Sequence, residues 1–140
     1  MADLAEEEEV LEAEDPVEAG DVEYFNLGIL LFNQEEYFLA HECFEKVWVG
    51  KRDDDIFKLG YQGLIQVSVG CYHLTHKSRI NSLAQFNKAL PKLEKYLPLF
   101  FNLDIFTLYV DITDLIGCLK SNSVDIAMCI LPKLKLKIIK

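Results

Sequence analysis

Between Tyr37 and His73 the chain carries two segments of helical period whose polar residues ride on faces that ought to be buried. In YFLAHECFEKVW, Tyr37, His41, Phe44 and Trp48 recur at i, i+4, i+7 and i+11, so one wall of a helix reads Tyr-His-Phe-Trp. In YQGLIQVSVGCYH, Gln62, Gln66, Val69 and His73 fall on one stripe of a segment that is otherwise apolar nearly all round. Such periods restrict the chain to packed helices. A polar group inside their core costs free energy unless it finds a partner. These side chains therefore either bond one another between the helices or surround something.

Charge is placed unevenly over the 140 residues, a length suited to one domain. Through Glu23 there are 11 acidic residues and no Lys or Arg; the remainder holds 12 acids against 14 bases, so the net −9 belongs to the N-terminus. Residues 1–21 have too few large apolar side chains to offset their own ordering entropy, and read as a disordered acidic tail before a single domain over 22–140. The tail solvates the chain, attracts a basic partner or covers a basic patch. A neutral body behind an acidic tail argues against nucleic-acid binding, which needs clustered cations. No run of 18 apolar residues is present, so no membrane helix is expected, and the acidic start is unlike a signal or transit peptide. Cys43, Cys71, Cys118 and Cys129 form no C-x-x-C pair and sit in apolar company, which reads as four reduced thiols without a zinc cluster, in a cytoplasm-like compartment.

The ordered part is expected to begin near Val22, with a first helix to Phe32 facing inward through Tyr24, Leu27 and Leu31. A second helix spans about 35–49 and ends at Gly50; a third, about 56–75, is apolar on most sides and should be central. The fourth aligns Leu83, Phe86, Leu90 and Leu93, with Pro91 kinking it or starting a new segment. Asp104 can cap a fifth helix that buries Ile105, Leu108, Ile112, Leu115 and Leu119. Residues 105–113 and 134–139 also alternate like strands, with helix the favoured reading.

A repeat appears at an offset of 42: Leu27, Gly28, Ala40, Phe44 and Lys46 correspond to Val69, Gly70, Ser82, Phe86 and Lys88. In each copy a small residue on one helix and an aromatic on the next suit a closely packed helical hairpin, loosely resembling a tetratricopeptide hairpin. The residues from Tyr24 to Leu93 also resemble the bacterial, archaeal and plastid family called domain of unknown function 309. Its hallmarks stand here as Phe32-Asn33, Tyr37-Phe38, His41-Glu42, Glu45, Trp48, Gln62-Gly63-Leu64-Ile65-Gln66 and Tyr72-His73. Members usually carry Gly-Asn and then Gly-Ala between the third and fourth helices, where this chain has Lys77-Ser78 and Asn81-Ser82. The resemblance implies a compact all-α domain, tips the ambiguous C-terminal segments toward helix, and implies a cytoplasmic or plastid-stroma setting. It implies no activity.

The fold expected is thus all-α, about five helices in two antiparallel hairpins that form a compact bundle behind the tail. Three chemistries suit the polar stripes. His41, Glu45, Gln62, Gln66 and His73 can form an interhelical hydrogen-bond network, since His and Gln both donate and accept. The same seam, walled by Trp48 and Tyr72, can hold a small ligand or a protein partner. Alternatively His41, Glu45 and His73 supply two imidazoles and a carboxylate for a divalent metal, the centre of a hydrolase-like enzyme. No nucleophile elbow, P-loop or dinucleotide fingerprint is present. The reading favoured is a non-catalytic module binding a protein or small molecule at the seam of helices two and three, with no cofactor expected.

Overall fold

The computed structural model of the chain describes residues 19–121 and 124–137. Five helices, α1 (Ala19–Asn33), α2 (Tyr37–Val49), α3 (Lys58–Thr75), α4 (Arg79–Glu94) and α5 (Ile105–Lys120), make a bundle in which each packs on its neighbour in sequence. A two-stranded corner, β1 (Leu99–Phe100) antiparallel to β2 (Leu103–Asp104), joins α4 to α5. The core runs through Phe32, Phe44, Tyr61, Phe86, Phe100, Leu103 and Ile112. Most of the acidic tail lies outside the described residues. Its last three, Ala19 to Asp21, are already helical, so the first helix starts before Val22, and Asp21 pairs with Lys51 at 2.9 Å.

The phase of α1 differs from the sequence reading. Phe25, Gly28, Ile29 and Phe32 face the core, while Tyr24 and Leu27 are exposed and Leu31 is half-buried. With LGILLF apolar at every position, period alone does not choose a face, and Gly28 decides it. A Cβ there would sit 2.6 Å from Cε1 of Phe44, so only glycine lets that ring lie against the α1 backbone. The repeat copy behaves identically: a Cβ at Gly70 would sit 2.5 Å from Cε1 of Phe86. Ser82, the counterpart of Ala40, is fully buried and donates its hydroxyl to the Gly70 carbonyl at 2.9 Å.

The repeat extends into the turns. After α1, Glu35 takes φ 64° while its N–H donates to Phe32 O and that of Glu36 donates to Leu31 O. After α3, Lys77 takes φ 61° with Lys77 N–H on Leu74 O and Ser78 N–H on His73 O. Both are Schellman endings, and 35 and 77 are again 42 apart. Left-handed backbone costs an L-residue roughly 1–2 kcal/mol. Lys77 occupies the place where the resemblance expects glycine, so Lys77→Gly should raise stability by about 0.5–1 kcal/mol in a urea titration. A loss of stability instead would mean that the lysine side chain contributes contacts of its own.

α4 continues through Pro91 instead of breaking there. Pro91 and Asn87 are both exposed, so water can hydrate the carbonyl that the ring leaves without an N–H partner. α5 forms as expected, burying Ile105, Leu108, Ile112, Leu115 and Leu119. Asp104 caps it by accepting from Thr107 N (2.9 Å) and Thr107 Oγ1 (2.7 Å). Those bonds hold its carboxyl below the usual carboxylate range against the opposing effect of burial, helped by Lys137 at 3.6 Å.

Two expectations for the C-terminus are corrected. Residues 134–137 are extended, not helical: Leu136 bridges Leu103, Asp104 N–H donates to Lys135 O (2.8 Å), and Lys137 N–H donates to Asn102 O (2.7 Å). The rest of that alternating stretch, 138–139, lies outside the described residues. Cys118 and Cys129 are joined in a disulfide, their Cα atoms 6.3 Å apart, and only Cys43 and Cys71 are buried free thiols. Spacing alone does not reveal that the chain turns back along α5 and brings these two together. No helix among the described residues is long and apolar enough to cross a membrane.

Candidate binding seam

α3 is the central helix, and its circumference is divided. Gly60, Tyr61, Gly63, Leu64, Val67, Ser68, Gly70, Cys71 and Leu74 are buried. Gln62, Ile65, Gln66, Val69, Tyr72 and His73 are all half-buried along one outward stripe. The polar stripe therefore floors a trough and does not lie inside the core. On α2 the corresponding correction is that Tyr37, Ala40, Cys43, Phe44 and Val47 are buried, while His41 and Trp48 are half-buried at the edge. Steric demand explains the division: small residues on α3 bring Phe86 and Leu93 of α4 close, which turns the glutamines outward.

Two contacts hold α2 against α3 along the trough. At one end the Phe38 and Tyr72 rings lie 5.8 Å apart, and Phe38 also touches the His41 ring at 5.1 Å. At the other end Lys58 Nζ sits 5.1 Å from the centre of the Trp48 ring, while it donates to Lys51 O and pairs with Asp53. Between these anchors, in sequence, come His41 and Glu45 on α2 and Gln62, Gln66 and Val69 on α3. His41 donates Nδ1–H to Phe38 O at 2.9 Å and presents Nε2 to Glu45 at 3.5 Å. Since a carbonyl only accepts, Nδ1 must carry a proton, and the Glu45 contact is an ion pair only when Nε2 carries one too.

Among the described residues no hydrogen bond links His41 or Glu45 to Gln62, Gln66 or His73, so the interhelical network is absent. Gln66 Oε1 and Trp48 Nε1 are instead buried without a partner, as is Tyr37 Oη deeper in the core. His73 lies beside Tyr72, ring centres 5.7 Å apart. His76 ends α3, donating Nδ1–H to Tyr72 O at 2.8 Å. No group of three His, Cys, Asp or Glu among the described residues is placed to hold a metal ion.

The other wall comes from α4 and was not singled out in the sequence. A Cβ at Gly63 would meet Leu93 Cδ2 at 3.2 Å and Lys92 Cβ at 3.4 Å, which puts Lys92 against Gly63, the residue after Gln62. Its ammonium donates to Lys88 O, and partial burial, then the neighbouring Lys88 charge, lower its pKa. The i, i+4 pair Lys88 and Lys92 was the available signal, along with Phe38 in the Tyr-Phe dipeptide. On its outer side α2 borders a depression of about 440 Å³ lined by Glu42, Glu45, Lys46 and Val49.

Two hairpins sharing a central helix, with a half-buried polar stripe along it, define a small helical domain. Residues 25–84 match the family described as "Domain of unknown function (DUF309)". The chain carries a DUF309 domain from α1 into α4. No curated protein matches the chain.

Proposed function

We propose that the domain is a non-catalytic binding module whose ligand, a polypeptide segment or a small molecule, lies in the trough over α3 between α2 and α4. The observation that carries this reading is the pair of orphaned polar atoms, Gln66 Oε1 and Trp48 Nε1. Leaving such an atom buried and unpaired costs about 1–3 kcal/mol. A ligand that donates to the glutamine carbonyl and accepts from the indole N–H recovers that cost, and an amide group does both. Phe38 and Tyr72 supply an aromatic platform at one end, and Lys88 and Lys92 a cationic edge.

Gln66→Leu and Trp48→Phe test this. Without a ligand, Gln66→Leu is expected to melt higher than the native chain, because it removes an unsatisfied atom and keeps the volume. Acetylated dipeptide amides titrated into the labelled protein are expected to shift the backbone amides of residues 62–73 and 38–48. The same titration of either variant is expected to leave them unmoved. Shifts confined to other surfaces, or a Gln66→Leu protein that is less stable, would overturn the reading.

A further inference from the structure

The C-terminal strap is bonded to the body at both ends and almost nowhere between. At its start Arg79 donates to Leu119 O (2.6 Å), Ser121 O (3.2 Å) and Val124 O (2.8 Å). At its far end Asn33 holds Leu134 through both amide atoms, and Lys133 reaches Asn33 O and Glu35. Among the described residues, the hydrogen bonds from Asp125 to Pro132 stay within the strap itself: Ala127 N–H to Asp125 Oδ1, Met128 N–H to Asp125 O, and Cys129 N–H to Ile126 O. Met128 is 73% exposed and Ile130 85%. Cavities flank the strap on both sides, one of about 420 Å³ against α5 and one of about 240 Å³ against the end of α3. Besides the side packing of Ile126, Cys129 and Leu131 and the burial of Pro132 at its far end, the disulfide to Cys118 ties this middle section down.

We propose that Cys118–Cys129 is a redox modification site, exchanged by a dithiol reductant, whose opening releases residues 125–132 while the helical array stays folded. Both sulfurs belong to half-buried residues, and both residues line the larger cavity, which gives an attacking thiolate an approach. That thiolate attacks one sulfur; the S–S bond breaks, the other sulfur leaves as a thiolate and takes a proton, and a mixed disulfide remains. The second thiol of the reductant resolves it. Two electrons and two protons have then entered the pair, and the reductant departs as a disulfide. Cys43 and Cys71 stay outside the exchange, since burial raises both thiols and leaves them as inert core residues. Release joins the two cavities into one trough beside Leu74 and Leu115.

Full-length protein, air-oxidised and then alkylated under denaturing conditions without reductant, is expected to take up two labels. After native incubation with dithiothreitol it is expected to take up four. Amide exchange over 125–131 should quicken by ~tenfold or more on reduction, with α1 to α4 unaffected. A Cys118→Ser, Cys129→Ser double variant should show the fast exchange with or without dithiothreitol. Four labels on oxidised protein, a bond that resists dithiothreitol in the native state, or unchanged exchange over 125–131 would each overturn the proposal. Global unfolding on reduction would overturn it too, since the bond would then be a staple and not a release point.

Discussion

Gly70→Ala is expected to lower the stability of the domain by about 3 kcal/mol, the upper end of what an extra methylene in a packed core costs. Helix propensity pulls the other way by about 1 kcal/mol, so the net loss understates the steric conflict by that amount. The new methyl would press on Phe86, a fully buried ring, 2.5 Å from its nearest carbon. The ring cannot swing away freely, because Ser82 on the same helix is bonded to the Gly70 carbonyl and fixes the distance between helices. Gly28→Ala meets Phe44 in the same way and should cost nearly as much. Gly63→Ala should cost clearly less, since it meets the far end of Leu93 at 3.2 Å. Urea unfolding of the three variants checks the order. If Gly70→Ala matched the native chain, the hairpin packing described above would be wrong.

Asn33→Ala is expected to cost about 2 kcal/mol, from two hydrogen bonds lost in a partly buried place. Asn33 Nδ2 donates to Leu134 O at 2.8 Å and Leu134 N–H donates to Asn33 Oδ1 at 2.7 Å, so the side chain pairs with the strap as a neighbouring strand would. Asn33→Asp should not rescue: it keeps the acceptor for Leu134 N–H and sets a second acceptor against Leu134 O. Hydrogen exchange over residues 134–137 should rise in both variants. Protection equal to the native chain would place the anchoring elsewhere, on Leu103 or Lys133.

Local signals were readable in this sequence to the extent that one pattern excluded its rivals. α5 was legible because Asp104 marks its start and its five inward residues keep a clean period. The Gly–aromatic pairs exposed the hairpins, since 28 with 44 and 70 with 86 repeat at one offset. The face of α1 was not legible, because Leu27, Ile29, Leu30 and Leu31 are interchangeable as core residues. Of the seam, the polar stripe was legible but its setting was not. In a helix apolar nearly all round, a stripe of Gln62, Gln66 and His73 looks the same whether it bonds across a core or floors a trough. What separates the two is how deeply Phe86 and Leu93 approach α3, which depends on the neighbouring helix. The strap was invisible for a similar reason, since Asn33 and Leu134 meet 101 residues apart.

That separation bears on the order in which the molecule can assemble. α2 to α4 each rest on the helix just before, so their contacts close short loops and can form rapidly. The anchor on Asn33 must wait until Leu134, 101 residues further on, has been synthesised, and domains emerging from a ribosome begin folding from the N-terminal side. Until then β2 presents an unpaired edge at Leu103 and Asp104, and the Leu134 site stands open. The strap therefore docks after the helices, and a chain cut short before Leu134 would keep its helices while exposing that edge to other molecules.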